Sequence, residues 1–142
     1  LILRSLCRYL LAALFLFAGV LHLRRPEVFL PIMPPQIPFP VACILISGGA
    51  ELLGGVGLLF PEGRVRIAAG WWLLALLVAV FPANIYMAAA HVKIPGLKIE
   101  PWMAWARLPL QPIVMALVAW VSGAWSGICR KGGSMKLKPP AT

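Results

Sequence analysis

Five polar side chains, His22, Glu51, Asn84, Arg107 and Gln111, are set in otherwise apolar stretches of this chain. Glu51 is the costliest of them. It lies in Ser47-Gly48-Gly49-Ala50-Glu51-Leu52-Leu53-Gly54-Gly55, near the middle of an apolar run from Val41 to Phe60. A charge at the centre of a hydrocarbon layer costs about 2.5–3.5 kcal/mol on insertion scales. A carboxylate among glycines, a guanidinium, two amides and an imidazole can orient a polar head group, relay a proton, or hold a helix bundle in register. Burial favours a neutral carboxyl and a neighbouring cation a charged one. Glu51 is therefore expected to interact with Arg107, directly or through water, with Asn84 and Gln111 filling the remaining donors and acceptors.

Other chemistries find little support. There is no Gly-x-Gly-x-x-Gly followed by an acidic residue, no phosphate-binding loop and no His-Glu-x-x-His. Cys7, Cys43 and Cys129 form no Cys-x-x-Cys pair and read as small apolar filler, against a thiol–disulfide exchange enzyme. His22 and His91 could fall on one side of a membrane, as a bis-histidine metal or haem site requires. Without a spacing motif they read as interfacial histidines. No catalytic residue and no metal site is expected, and an independent enzyme is poorly supported.

The elements that must position these residues follow from composition. Of 142 residues 61% are hydrophobic and 12% charged, with mean hydropathy +0.90, which points to lipid as the solvent. Four runs, about Leu6–Leu23, Val41–Phe60, Ile67–Ala90 and Met103–Ile128, are each near the ~20 residues a helix needs to cross ~30 Å of hydrocarbon. The expected fold is all-α: an integral membrane four-helix bundle, antiparallel up-down-up-down, occupying residues 1–129. A basic tail, 130–142, is expected to be disordered.

The net charge of +9 is distributed as a topology signal. Arg4, Arg8, Arg64, Arg66, Arg130, Lys131, Lys136 and Lys138 fall on one side of the spans. Arg24, Arg25, Lys93, Lys98 and Arg107 fall on the other, Arg107 just inside the fourth span. The excess favours both termini in the cytoplasm and argues against nucleic acid as a partner. Arg4 and Arg8 before an apolar run resemble a signal peptide, but no small-x-small cleavage site follows, so the run reads as a retained first helix. The chain starts without methionine, and a few further residues are expected upstream.

Within this frame the polar residues converge. His22 and Asn84 fall near the outer ends of the first and third spans, Arg107 and Gln111 near the outer start of the fourth. Glu51 lies roughly 15 Å below the outer start of the second. Five glycines in the second span, Gly48, Gly49, Gly54, Gly55 and Gly57, suit a helix packed on both sides. Pro82 should kink the third span and free a carbonyl about one turn earlier. Trp71 and Trp72 are placed as interfacial anchors. Val28–Pro40 is too proline-rich for a helix and too apolar for a solvated linker. It is expected to lie over the outer face, either as a plain connector or, through Pro34 and Pro35, as a substrate gate.

Several of these stretches resemble the DoxX-like small membrane proteins. Ala18-Gly19-Val20-Leu21-His22, Pro26-Glu27-Val28-Phe29 and Ile32-x-Pro34-Pro35 look like their opening, and Ser47-Gly48-Gly49-Ala50-Glu51-Leu52 like their second helix. Phe81-Pro82-Ala83-Asn84-Ile85-Tyr86-Met87 and Arg107-Leu108-Pro109-Leu110-Gln111-Pro112 resemble the third- and fourth-helix signatures. The likeness covers roughly residues 10–125. It implies a multi-pass protein of the bacterial cytoplasmic (inner) membrane and carries over His22, Glu51, Asn84, Arg107 and Gln111 as the family's polar positions. The family is named for a subunit associated with quinone-linked sulfur oxidation, and other members are linked to redox stress complexes or to membrane-protein assembly. The expectation is an accessory subunit of a membrane oxidoreductase system, binding a quinone or other amphipathic molecule in an outer-half polar pocket. The alternative is a non-catalytic scaffold or assembly factor with a structural polar network. A proton-coupled transporter is disfavoured, because four helices without an internal repeat offer little for alternating access. The lipid bilayer and oxidoreductase subunits are the expected partners, and a homo-oligomer stays open.

Overall fold

A computed structural model describes residues 1–94 and 100–126. The expected tail from Arg130, with Cys129 and Lys98, lies outside the described residues. The chain forms α1 (Ile2–Arg24), a short α2 (Pro26–Phe29), a 3-10 turn (Leu30–Ile32), α3 (Pro40–Leu59), α4 (Arg64–Ala89) and α5 (Pro101–Ser122). The four long helices, α1, α3, α4 and α5, are long and apolar enough to cross a membrane. Pro26 stops α1 and then opens α2 at its first position, where a missing N–H costs nothing. The Pro-rich connector is thus not wholly irregular, as its composition suggests, but begins with two short helical turns.

Two of the long helices reach further than the apolar runs. Arg4 and Arg8 lie within α1 rather than before it, and Arg64 and Arg66 within α4 rather than in a connection. Long arginine side chains allow this, since the stem packs on apolar surface while the head reaches a polar partner.

The helices form a ring in which α3 packs on α1 and α4, and α5 on α4 and α1. The closest approach is between α1 and α3. A Cβ built on Gly19 would stand 2.7 Å from the Gly48 carbonyl oxygen, and one on Gly48 would stand 2.7 Å from His22 Cβ. At the other end of this pair, Arg8 reaches the carbonyls of Leu58, Leu59 and Phe60. The α3–α4 contact sets Gly54 against Leu73 and Gly57 against Ala69, and the α4–α5 contact sets Gly70 against Ser122.

Two apolar clusters fill the ring. One joins Leu11, Ala12, Phe15, Leu58, Leu73, Val118 and Val121. The other, at the opposite end, joins Ile32 of the 3-10 turn to Met87, Ala88, Ile94 and Ala104, so the connector closes that end of the bundle. Outward positions are apolar as well: Phe17, Ile46, Leu53 and Val78 are each more than half exposed. A surface of this kind suits acyl chains rather than water.

The glycine contacts predict a contrast between neighbours. Gly48→Ala forces a methyl against His22 and the Gly19 backbone and should destabilise the protein by about 1–3 kcal/mol. Gly49→Ala meets nothing within 4 Å and should leave stability unchanged or slightly raised. Thermal melting of both variants in mild detergent measures the difference.

Candidate functional site

The chain holds two separate polar pairs. The first joins α1 to α3. The close approach at Gly19 and Gly48 brings His22 over the next turn of α3, and its Nδ1 lies 3.0 Å from Glu51 Oε2. The same nitrogen lies 2.8 Å from the Ala18 carbonyl oxygen. A backbone carbonyl can only accept, so Nδ1 carries the hydrogen and His22 donates to Ala18. Glu51 Oε2 is left within ion-pair range, buried, and without a directed hydrogen bond. Phe29 of α2 covers the imidazole, with ring centroids 3.8 Å apart and planes inclined by 17°. The connector thereby shields the His22–Glu51 pair. Both side chains retain a small exposure, 17% and 13%.

The second pair joins α4 to α5. Asn84 Nδ2 donates to Gln111 Oε1 at 2.8 Å, and Gln111 Nε2 donates to the Leu77 carbonyl. Pro82 lies inside α4 and has no N–H to donate back along the helix. Gln111, 6% exposed, supplies an extra donor to the backbone one turn earlier. The carbonyl that Pro82 leaves without its helical donor is that of Val78, four residues back, so the Gln111 bond is a second donor to the neighbouring Leu77 carbonyl and a tie between α5 and α4.

The expected Glu51–Arg107 interaction is replaced by these pairs. Arg107 is exposed and its Nη1 contacts Met87 Sδ at 3.8 Å. The reason is the ring: α3 and α5 sit on opposite corners and share no extensive contact, whereas α1 is the immediate neighbour of α3. The five expected residues are therefore split, His22 with Glu51 and Asn84 with Gln111, Arg107 standing apart. Pro34 and Pro35 form a turn closed by Ile37 N–H donating to the Pro34 carbonyl at 3.0 Å, with Pro35 exposed.

Two contributors escaped sequence reasoning. Phe29 looked like one apolar residue of the connector, and only its place three residues past the Pro26 stop hinted that it could fold back on His22. Trp72, expected as an interfacial anchor, also donates its indole N–H to the Ala50 carbonyl at 3.0 Å, tying α4 to α3 beside Glu51. Two hollows among the described residues lie outside the His22–Glu51 and Asn84–Gln111 pairs. One, of about 290 Å³, is an open apolar groove at Leu53, Gly54, Gly57, Val65 and Trp72. The other is at the far end of the bundle.

Four apolar helices of spanning length, with polar groups paired across their contacts, define a helical protein of the membrane class. Residues 11–124 match the family model described as a domain of unknown function, DUF8561, and the chain belongs to that family. No curated protein and no solved structure matches the chain.

A double-mutant cycle on Asn84→Ala and Gln111→Ala tests the second pair. Coupling between buried polar groups of lipid-embedded helices averages about 0.6 kcal/mol and reaches about 1.7. Gln111→Ala should be the worse single change, because it leaves both Leu77 and Asn84 without their partner. Equilibrium unfolding of the four proteins in one detergent gives the coupling directly.

Proposed function

We propose that this chain is a DoxX-like protein of the bacterial cytoplasmic membrane, acting as a non-catalytic accessory or assembly subunit beside a membrane oxidoreductase. One observation carries the reading: the intramembrane polar side chains pair across neighbouring helices, His22 with Glu51 and Asn84 with Gln111, with Glu51 Oε2 left without a directed hydrogen bond. Polar groups arranged in this way give a small bundle a unique register, which an assembly surface needs. The reading has the helices crossing up-down-up-down with both termini in the cytoplasm. Its support is the clustering of Arg4, Arg8, Arg64 and Arg66 at one end and the pairing of the start of α1 with the end of α3.

A second reading, a site for a quinone or another polar-headed amphipath, is favoured by one specific feature. Glu51 Oε2 is buried without a directed hydrogen bond, beneath a connector whose Phe29 covers His22. An ionised carboxylate there accepts from a hydroxyl-bearing head, as in a quinol, and a protonated one donates to a carbonyl, as in a quinone.

Mass spectrometry of lipids co-purifying with wild type and Glu51→Gln separates the two. The first reading expects bulk phospholipid in both preparations and a lower melting temperature for the variant. A quinone or other specific amphipath retained by wild type and lost from Glu51→Gln would overturn it in favour of the second.

A further inference from the structure

The end of the bundle remote from His22 carries a cluster that neither reading uses. Leu1 together with Arg4, Ser5 and Arg8 of α1, Glu62 of the α3–α4 connection, Arg66 of α4 and Val121 of α5 line a hollow of about 70 Å³. Three guanidinium groups therefore surround one carboxylate. Arg66 Nη2 donates to Glu62 Oε1 at 2.6 Å, and Arg4 Nη1 lies 3.3 Å from the same oxygen. Glu62 can balance one of the three charges.

Arg66 is the unusual member. It is only 7% exposed, and its Nε is buried with no hydrogen-bond partner. A buried guanidinium ordinarily has its N–H groups satisfied, because a charged donor left bare in a low-dielectric setting is costly. Its position adds to the imbalance. Arg66 lies in the first turn of α4, which holds no acidic residue and whose N-cap, Gly63, offers no side chain. The positive end of the helix dipole thus reinforces the guanidiniums instead of opposing them. Arg8 is partly committed, since its Nη1 donates to the end of α3, but its charge stays in the hollow's wall.

We propose that this hollow binds a phosphate group, held between the guanidinium groups of Arg4 and Arg66. Guanidinium forks on two helices match an oxyanion with oxygens in several directions better than a planar carboxylate. At about 30 Å³ per water, a hollow of about 70 Å³ takes a group the size of roughly two waters, which suits a single small oxyanion. The site lies at the ends of apolar helices, the level at which phospholipid head groups sit and at which basic pockets between helices bind them. An anionic phospholipid and free phosphate present the same group.

The test uses the full chain in mild detergent. Native mass spectrometry follows binding of phosphatidylglycerol against phosphatidylcholine, and thermal melting follows inorganic phosphate against chloride at equal ionic strength. Wild type should prefer phosphatidylglycerol, and Arg66→Gln should weaken that preference by about tenfold. Arg4→Gln, at a more exposed site, should weaken it as well and serves if Arg66→Gln fails to fold. Glu62→Gln should strengthen binding, because the competing carboxylate is gone, which a general loss of charge or structure cannot mimic. Stabilisation by inorganic phosphate equal to that by phosphatidylglycerol identifies the free ion as the source, and stabilisation by the lipid alone identifies the head group. Equal binding of the two lipids with no response to phosphate, or preferences unchanged in Arg4→Gln and Glu62→Gln, would overturn the assignment.

Discussion

The near-contact of the α1 and α3 backbones at Gly19 and Gly48 sets the geometry on which the rest depends. With a hypothetical Gly19 Cβ only 2.7 Å from the Gly48 oxygen, no other residue type fits there without moving a helix. In lipid there is no hydrophobic force between helices, so such close packing is itself a main source of association. It also decides which polar groups meet. Gly19 touches both Gly48 and Leu52, placing it level with Ala50, the eleventh residue of α3, although it is only five from the end of α1. At 1.5 Å per residue α3 thus starts about 7 Å, more than one turn, beyond the end of α1. That stagger sets His22 above Glu51, and the overhanging first turns of α3 leave room for α2 to fold across and place Phe29 on the imidazole.

The second constraint is that hydrocarbon offers no hydrogen bonds. Each polar group must find its partner on its own helix or on an adjacent one. In a four-membered ring every helix has two neighbours and one diagonal, and polar pairs form only along the sides. His22–Glu51, Trp72–Ala50 and Asn84–Gln111 each bridge one side of the ring, α1–α3, α3–α4 and α4–α5 respectively. The fourth side, α5–α1, is bridged at its basic end by Arg4, whose Nε donates to the Trp120 carbonyl at 3.2 Å. Each contact between long helices therefore has at least one polar tie, and apolar packing fills the remainder.

Much of this was legible in the chain. Four runs of spanning length mark the four long helices to within a few residues at most ends, and the glycines of the second run foretell a helix packed on both sides. The polar residues stand out in the sequence because apolar surroundings make them conspicuous, and the structure pairs four of the five, leaving Arg107 exposed. Their partners were not legible, for two reasons. Depth was counted from the start of each run, which assumes that the runs begin at one level, and the stagger of α1 and α3 breaks that assumption. Adjacency was not encoded either: Glu51 and Arg107 are complementary charges, but complementarity says nothing about which helices lie on a diagonal. Arg66 was misread for a related reason. Charge next to a turn looks like loop charge, and a helix that begins at Arg64 turns it into a buried residue.

The arginines at the basic end show that a topology signal can also be a structural part. Helices α3 and α5 end there, and the last carbonyls of a helix lack partners and carry the negative end of its dipole. Arg8 donates to Leu58, Leu59 and Phe60 at the end of α3, and Arg4 to Trp120 near the end of α5. Two cations on α1 therefore serve two helix C-termini, a placement the dipole favours. The third helix at this end, α4, begins instead of ending, so Arg64 and Arg66 stand at the pole that repels them. Glu62, just before the Gly63 N-cap, is the one carboxylate placed to relieve this, and it is shared between Arg66 and Arg4. A charge pattern chosen only for orientation would need no such pairing. That α1 supplies cations where helices end, while α4 presents them where a helix begins, makes this end of the bundle electrostatically satisfied at α3 and α5 and short of negative charge at α4.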